Sequence, residues 1–195
     1  MFGQWPPRLL DAAGVVEGDA VLDVGCGTGV LARAAAERVS RTGSVHGVDI
    51  NPGMLTVARN RGAPVTWAEA PAELLPFADS SFDRVVSQFA LMFFADRARA
   101  LDEMARVTRP GGTVTVATWA EVEESPGYAA MVDLLRRLFG DTAADALLAP
   151  FSIGTTGELS ALVGNSCSEV SVSRLAGVAS FDSIEAWVHT CLLYT

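Results

Sequence analysis

Three glycines at alternate positions follow a short apolar run near the start of the chain. The run Val21–Val24 leads into Gly25, Gly27 and Gly29. Glycines let a ligand approach the backbone closely, and the free N–H groups of a following helix bind an anionic group such as a carboxylate. The dinucleotide fingerprint is G-x-G-x-x-G. Because the third glycine comes one position early and Val30 follows it, the turn predicts a ligand other than a pyrophosphate.

A carboxylate ends the next apolar run, 20 residues after Gly29. The two acceptor oxygens of Asp49 match the two hydroxyls of a ribose. The alternative is that Asp49 caps the helix that Pro52 is expected to start. Asn51 is better placed for that cap, so we favour the ribose-binding role for Asp49.

Apolar, β-branched runs alternate with helix-period segments between residues 20 and 119. The predicted order is strand 20–24, helix 28–39, strand 44–49, helix 52–60, strand 64–68, strand 82–88, helix 96–108, a turn at 109–112 and strand 113–119. This alternation predicts a parallel sheet covered by helices on both faces. The glycine turn would then lie at the carboxyl end of the first strand, where open α/β sheets bind ligands.

The pattern changes after Trp119. An acidic loop is followed by predicted helices at 128–139, 143–148 and 157–163, by two alternating strands at 168–174 and 177–181, and by a helix from Ser183 to His189. The close spacing of the two strands is typical of a hairpin.

Composition limits the classes of function. The chain has 195 residues, half of them apolar, and its formal net charge is 14 − 23 = −9. An acidic chain is a poor match for a phosphate backbone or an anionic membrane surface. Three scattered cysteines and two distant histidines form no disulfide framework or metal cluster. Without a signal peptide or a long apolar span, the expectation is a single cytoplasmic domain that binds neither nucleic acid nor metal.

Four segments resemble the class I S-adenosylmethionine-dependent methyltransferases, and among them the type 11 group of ubiquinone and menaquinone C-methyltransferases. The segments that carry the resemblance are Val21–Gly29, Val48–Ile50, Leu75–Asp83 and Leu101–Gly112. The resemblance implies an α/β fold: a Rossmann-like, doubly wound, mostly parallel sheet of about seven strands with an antiparallel last strand and helices on both faces.

The resemblance also implies S-adenosylmethionine as the cofactor and assigns its binding residues. These are Asp23, Gly25, Cys26, Gly27, Asp49, Ile50, Met54, Pro71, Ala72 and Gln88. The glycine turn would cradle the methionine end, Asp23 would hold its amino group and Gln88 would line that side. Asp49 would bind the ribose, with Ile50 and Met54 flanking the adenine.

One segment departs from the pattern of the family. Relatives often carry Gly-Asp-Ala where this chain has Ala70-Pro71-Ala72, so the carboxylate that would accept from the adenine amine is absent. Backbone groups or Glu69 are the alternatives for recognising the adenine.

The implied reaction is in-line displacement at the sulfonium methyl by a small-molecule acceptor. The sequence identifies no catalytic residue; the candidates for a base are His46, His189, Tyr128 and the acidic loop Glu121–Glu124. Cys26 is expected to be a small filler in the glycine turn. The stretch 88–94 is a candidate apolar wall for an apolar or aromatic acceptor, although core packing is as good an explanation for Met92 and Phe93.

The expected organisation is one methyltransferase domain over residues 1–195. It comprises an N-terminal cover (1–19), a cofactor-binding core (20–119), a helical substrate-side insertion (120–166) and a C-terminal strand pair that starts a helix (167–195), expected to be truncated. The alternative functions are a cofactor-binding protein with weak catalysis and a dinucleotide-dependent oxidoreductase. The missing third fingerprint glycine counts against the oxidoreductase.

Overall fold

Five parallel strands form the central sheet in the computed structural model, which describes residues 2–187. The strands are β1 (Ala20–Val24), β2 (Ser44–Asp49), β3 (Thr66–Glu69), β4 (Phe82–Gln88) and β5 (Thr108–Ala117). Their order is β3-β2-β1-β4-β5, and β1 pairs with both β2 and β4. The chain therefore changes direction across the sheet at β1, and this switch point is where α/β sheets open a crevice for ligands.

A short helical segment covers residues 184–187, and seven longer α-helices accompany the sheet in the described part of the chain. They are α1 (Trp5–Ala12), α2 (Val30–Val39), α3 (Pro52–Asn60), α4 (Arg97–Val107), α5 (Pro126–Phe139), α6 (Asp141–Leu148) and α7 (Thr156–Gly164). Side-chain caps fix several of their starts. Asn51 accepts the N–H groups of Gly53 and Met54 at α3, and Asp96 accepts that of Arg99 at α4. Each cap satisfies N–H groups that have no partner within the helix.

Both faces of the sheet are buried, which confirms the predicted α/β arrangement. Leu22 and Val85 pack on the face covered by α4, together with Leu101. Val21 and Val86 point to the opposite face and pack against Leu31 of α2 and its neighbours. Successive side chains of a strand alternate between faces, so adjacent apolar residues serve both cores.

Most predicted boundaries agree with the structure to within two residues. The bounds of β2, α3 and β4 are those predicted. Helix α2 begins two residues later than predicted because Gly27 and Gly29 have left-handed backbones, with φ of +53° and +75°. The predicted turn at 109–112 lies inside β5 as a bulge, since Thr108 pairs with Phe82 and the next paired residue is Thr113.

The predicted strand pair at 168–174 and 177–181 is wrong. Both segments are irregular, so the described residues contain five strands rather than about seven, and no antiparallel last strand. Alternation alone does not make a hairpin stable, because its apolar side chains need a surface to cover. Val178 and Leu175 remain largely exposed. His189 and the predicted helix beyond Trp187 lie outside the described residues.

Residues 176–178 instead lie along the N-terminal helix. The Gln4 side-chain amide donates to the carbonyl of Val178 (2.8 Å), and the Arg8 guanidinium donates to the carbonyl of Ala176 (2.9 Å). Gly177 lies so close to the Trp5 ring that a Cβ there would be 2.4 Å from its Cζ2 atom. The backbone groups of this segment are thus partly satisfied by α1 rather than by a neighbouring strand.

Within residues 2–187, no single helix is long and apolar enough to cross a bilayer. Residues 141–151 and α7 meet the length and composition requirements only as a pair, and a bend of 61° separates them.

Candidate functional site

A cavity of about 500 Å³ opens at the carboxyl ends of β1, β2 and β4. All ten predicted binding residues line it: Asp23, Gly25, Cys26, Gly27, Asp49, Ile50, Met54, Pro71, Ala72 and Gln88. The strand order brings them together, because residues that end parallel strands meet at one edge of the sheet.

The glycine turn forms one wall of this cavity and is tied to β2. The N–H groups of Gly25 and Cys26 both donate to the carbonyl of Val48, at 2.8 and 2.9 Å. A Cβ on Gly25 would lie 2.4 Å from the Cβ of Ala90, and the backbone there has φ of +70°. Gly27 faces open space, with nothing within 4 Å of where its Cβ would be. The turn therefore requires glycine on its inner side and leaves its outer side open to a ligand.

The Asp49 carboxylate is held beside the glycine turn by two backbone groups. Its Oδ2 accepts the N–H of Gly27 at 2.7 Å, and its Oδ1 accepts the N–H of Asn51 at 2.8 Å. Because the Asn51 side chain caps α3, Asp49 is not needed for that purpose. Each carboxylate oxygen has a second lone pair, so the group can still accept from hydroxyls in the cavity.

Asp23 is a buried carboxylate without a hydrogen-bond partner. Its side chain is at the cavity, the residue is 1% exposed, and neither oxygen accepts a hydrogen bond from residues 2–187. Burial raises the pKa of Asp23 to about 7; the N–H of Ala32 in α2 is near enough to oppose the shift in part, although it lies outside hydrogen-bond geometry, and the Asp49 charge adds to the shift. A cationic ligand would supply the missing partner and stabilise the ionised form.

Gln88 presents a second unsatisfied acceptor to the same cavity. Its Oε1 is buried and has no hydrogen-bond partner among the described residues. Buried polar atoms are nearly always paired in proteins. Asp23 and Gln88, at the ends of β1 and β4, thus leave two acceptors at the glycine-turn side of the cavity that a donor on a ligand would satisfy.

Another part of the cavity rim includes exposed apolar residues. Ile50 is 68% exposed and lies beside Asp49, with Met54 of α3 next along the cavity. Pro71 and Ala72 also line the cavity, and Ala72 is buried. Glu69 is exposed and is not among the lining residues, so the structure does not support it as the group that recognises a base.

Glu73 lines this rim and was not predicted as a binding residue. Its carboxylate accepts the N–H of Asp96 at 3.1 Å, at the start of α4. The only sequence signal was its position two residues before Leu75–Asp83, one of the segments that resemble the family.

Aromatic side chains form the remaining wall. They come from three separate parts of the chain: Phe89, Phe93, Phe94, Trp119, Tyr128 and Phe151. The Phe89 and Trp119 rings are stacked, with centroids 4.6 Å apart. Phe93 lines the cavity as the apolar-wall interpretation expected, whereas Met92 is buried in the core. Trp119 and Phe151 were missed because no local pattern marks where these residues converge.

Some of the candidate bases line the cavity and others do not. His46 packs between the rings of Phe77 and Phe82, away from the cavity, and burial lowers its pKa. The acidic loop Glu121–Glu124 does not line the cavity, whereas Tyr128 does. Burial raises the pKa of the Cys26 thiol, so this side chain is not a thiolate nucleophile. Among the described residues, no group of His, Cys, Asp and Glu could hold a metal ion.

Comparison with known proteins agrees with this geometry. Residues 22–116 match the family model described as "Methyltransferase domain". The ubiquinone/menaquinone biosynthesis C-methyltransferase UbiE of Laribacter hongkongensis is 45% identical over 122 residues, covering 60% of this chain and 50% of that protein. UbiE of Chromobacterium violaceum is 43% identical over 130 residues, covering 64% and 53%. The chain therefore spans about half the length of these curated relatives.

Solved structures of S-adenosylmethionine-dependent methyltransferases are also similar to this chain. An S-adenosylmethionine-dependent methyltransferase from Mesorhizobium loti is 31% identical, with a TM-score of 0.54 over 60% of this chain and 54% of that one. One from Aquifex aeolicus is 25% identical, with a TM-score of 0.56 over 59% and 64%. With the sheet order and the glycine turn, these similarities identify residues 22–116 as a methyltransferase domain of type 11, similar to the class I S-adenosylmethionine-dependent methyltransferases.

Proposed function

We propose that this chain transfers the methyl group of S-adenosylmethionine to a small-molecule acceptor. The observation that carries the proposal is the Asp23 carboxylate, which is buried, unpaired and next to an open glycine turn. The methionine end of the cofactor carries an ammonium group close to a carboxylate. The ammonium would pair with Asp23, and the carboxylate would receive the N–H groups at the start of α2.

The other lining residues fit the rest of the cofactor. Asp49 would accept both ribose hydroxyls while its two backbone donors hold it in place. Ile50 and Met54 would cover one face of the adenine, and the backbone of Pro71 and Ala72 would meet its edge. An isoleucine as exposed as Ile50 gains apolar contact when such a ring covers it.

The protein's part in the reaction is to position the reactants and exclude water. When bound, S-adenosylmethionine supplies an electrophilic methyl group on its sulfonium. Asp23 and Gln88 would orient the methionine end, and the Phe89 and Trp119 stack would hold the acceptor in line with the carbon–sulfur bond. The aromatic wall would also keep water from the methyl group. We assign no general base, because one is needed only if the acceptor is protonated at the working pH.

The lining of the cavity also supports a class of acceptor. Six aromatic side chains favour a planar or apolar molecule, since offset-stacked and edge-to-face contacts stabilise aromatic rings. The net charge of −9 gives the chain no bulk attraction for a nucleic acid. We therefore propose a small, apolar or aromatic acceptor.

Isothermal titration calorimetry with S-adenosylhomocysteine tests the cofactor assignment. We expect binding by the wild type and weaker binding by Asp49→Ala, by about 2 kcal/mol, since charge-assisted hydrogen bonds are lost. That difference corresponds to roughly 30-fold in affinity. Asp133→Ala, on the exposed surface of α5, serves as the matched control and should bind as the wild type does. Binding of NADH in place of S-adenosylhomocysteine would contradict the proposal.

A further inference from the structure

The segment that forms the adenine-side rim has no regular secondary structure. It runs from Ala70 to Ser81, between the end of β3 and the start of β4, where the other crossovers between parallel strands contain a helix. Its first four residues, 70–73, line the cavity. A segment of this kind keeps a defined shape only if groups elsewhere satisfy its backbone.

Helix α4 supplies those groups from one face. Arg99, Glu103 and Arg106 are spaced four and three residues apart, so they lie on the same side of the helix. Glu103 is buried, and its Oε2 accepts the N–H of Leu75 at 2.9 Å. Arg106 bridges both oxygens of that carboxylate, each at 2.7 Å. A buried carboxylate is thus fully paired with one backbone donor and a bidentate guanidinium.

Arg106 continues from this pair to the segment itself. Its guanidinium donates to the carbonyls of Phe77 (2.9 Å) and Leu75 (3.2 Å) and to the carboxylate of Asp79 (2.7 Å). One side chain therefore ties together three residues that follow the rim. The planar fork of arginine makes several such bonds at fixed angles, which a lysine does not.

Glu73 links the rim to the start of the same helix. Its carboxylate accepts the N–H of Asp96, and its carbonyl accepts from Nε of Arg99 at 3.3 Å. The rim residues thus lie between two attachment points on α4, one at its first turn and one at Glu103 and Arg106. Neither Glu103 nor Arg106 is among the residues that line the cavity.

We propose that the Glu103–Arg106 pair is a positioning device for cofactor binding, which fixes the Ala70–Glu73 rim at the adenosine end of the cavity. The inference rests on the proposed function and deepens it. Both residues act through the segment they hold and touch no ligand. Loosening the pair reduces affinity for any ligand that contains adenosine, and it does so independently of the methionine end.

Two variants weaken the Glu103–Arg106 pair in different ways. Glu103→Gln keeps an acceptor for the Leu75 N–H and removes the charge, and Arg106→Lys keeps the charge and loses the fork. The ligands are S-adenosylhomocysteine and 5′-methylthioadenosine, which lacks the amino acid group. We expect both variants to bind both ligands at least tenfold more weakly, by similar factors. Asp23→Asn, in contrast, should weaken only S-adenosylhomocysteine, because only that ligand carries the ammonium group.

Hydrogen exchange of the free protein tests the attachment without a ligand. We expect the Leu75 amide to exchange at least tenfold faster in Glu103→Gln, because the neutral acceptor that remains is weaker and is no longer held by the bidentate ion pair with Arg106, while amides of β1 stay unchanged. The control Arg136→Lys, in an exposed ion pair on α5, should alter neither exchange nor affinity. If Glu103→Gln does not stay folded, Arg99→Ala tests the exposed end of the same face.

The outcomes distinguish this inference from the function on which it rests. Wild-type protein that binds neither adenosine ligand would contradict the proposed function. Wild-type binding with unchanged affinity and unchanged Leu75 exchange in the folded variants would overturn the positioning role alone. Loss of affinity for S-adenosylhomocysteine without loss for 5′-methylthioadenosine would also overturn it, since the effect would then lie at the methionine end.

Discussion

At the scale of single residues, Asp23 makes cofactor binding depend on protons. Burial raises its pKa to about 7, and a bound ammonium group would lower it again. Below that pH, binding must release a proton, so affinity for S-adenosylhomocysteine should rise up to about tenfold per pH unit between pH 5.5 and 7 and then level off. Calorimetry over this range, in buffers of different ionisation enthalpy, measures both the affinity and the released proton.

Asp23→Asn is the control for this dependence. The variant retains the size of the side chain and cannot titrate, so its weaker binding should be independent of pH. A wild-type affinity that does not change between pH 5.5 and 7 would show that Asp23 is already ionised in the free protein or does not meet the ligand.

In the free protein the same raised pKa makes the contribution of Asp23 to stability fall as the pH rises from 3.8 to about 7.

His46 has the opposite effect on stability. Burial between Phe77 and Phe82 lowers its pKa below the ordinary 6.5, so the unfolded chain binds a proton before the folded one does. Its contribution is fully present above pH 6.5 and is lost as the pH falls below that value. Urea unfolding at several pH values should therefore show a steeper loss of stability in wild type than in His46→Gln. Parallel curves for the two proteins would rule out a titrating His46.

The sequence pointed to residues that line the cavity where local geometry dictates the residue type. Gly25 has a left-handed backbone and no room for a Cβ, so the turn itself requires a recognisable pattern. Asp49 ends a strand, where its position could be counted from the glycine turn. Trp119 and Phe151 reach the same cavity through packing between distant segments. No periodicity or spacing encodes such convergence, so these two residues could be found only in the structure.

At the scale of elements, the bulge in β5 packs so closely against β4 that it requires glycine at position 112. A Cβ on Gly112 would lie 2.6 Å from the carbonyl oxygen of Asp83, a backbone atom that cannot rotate away. We expect Gly112→Ala to reduce the free energy of unfolding by about 2 to 4 kcal/mol, since the register of β5 against β4 must shift. The matched control is Gly157→Ala in α7, where nothing lies within 4 Å. Equal stability of the two variants in urea unfolding would contradict this account.

Element boundaries were predictable where capping or turn chemistry marks them. Asn51 and Pro52 start α3, and Asp96 starts α4, because a side-chain acceptor satisfies the first N–H groups. The strand pair at 168–174 and 177–181 was wrong because alternation describes side-chain spacing and not a partner strand. In the structure the backbone around Gly177 contacts α1 instead. A strand needs both a pattern and a neighbour, and only the pattern is visible in the sequence.

At the scale of the whole molecule, the cavity joins parts of the chain that are far apart in sequence. Its lining comes from the ends of β1, β2 and β4, from α3, from the 70–73 rim and from α5 and α6. A ligand there contacts both halves of the sheet and the helices that follow it. Binding to the folded state alone should therefore stabilise the entire domain by mass action.

Thermal unfolding measures this linkage. At a concentration 100 times its dissociation constant, S-adenosylhomocysteine should add about 2.7 kcal/mol to the free energy of unfolding. For a domain of this size, that corresponds to a rise in Tm of roughly 5 to 10 °C.

Because α5 and α6 contribute Tyr128 and Leu147 to the lining, their amides should gain protection from hydrogen exchange together with those of β1. Protection confined to the glycine turn would show that the helices beyond β5 do not take part in the cofactor site.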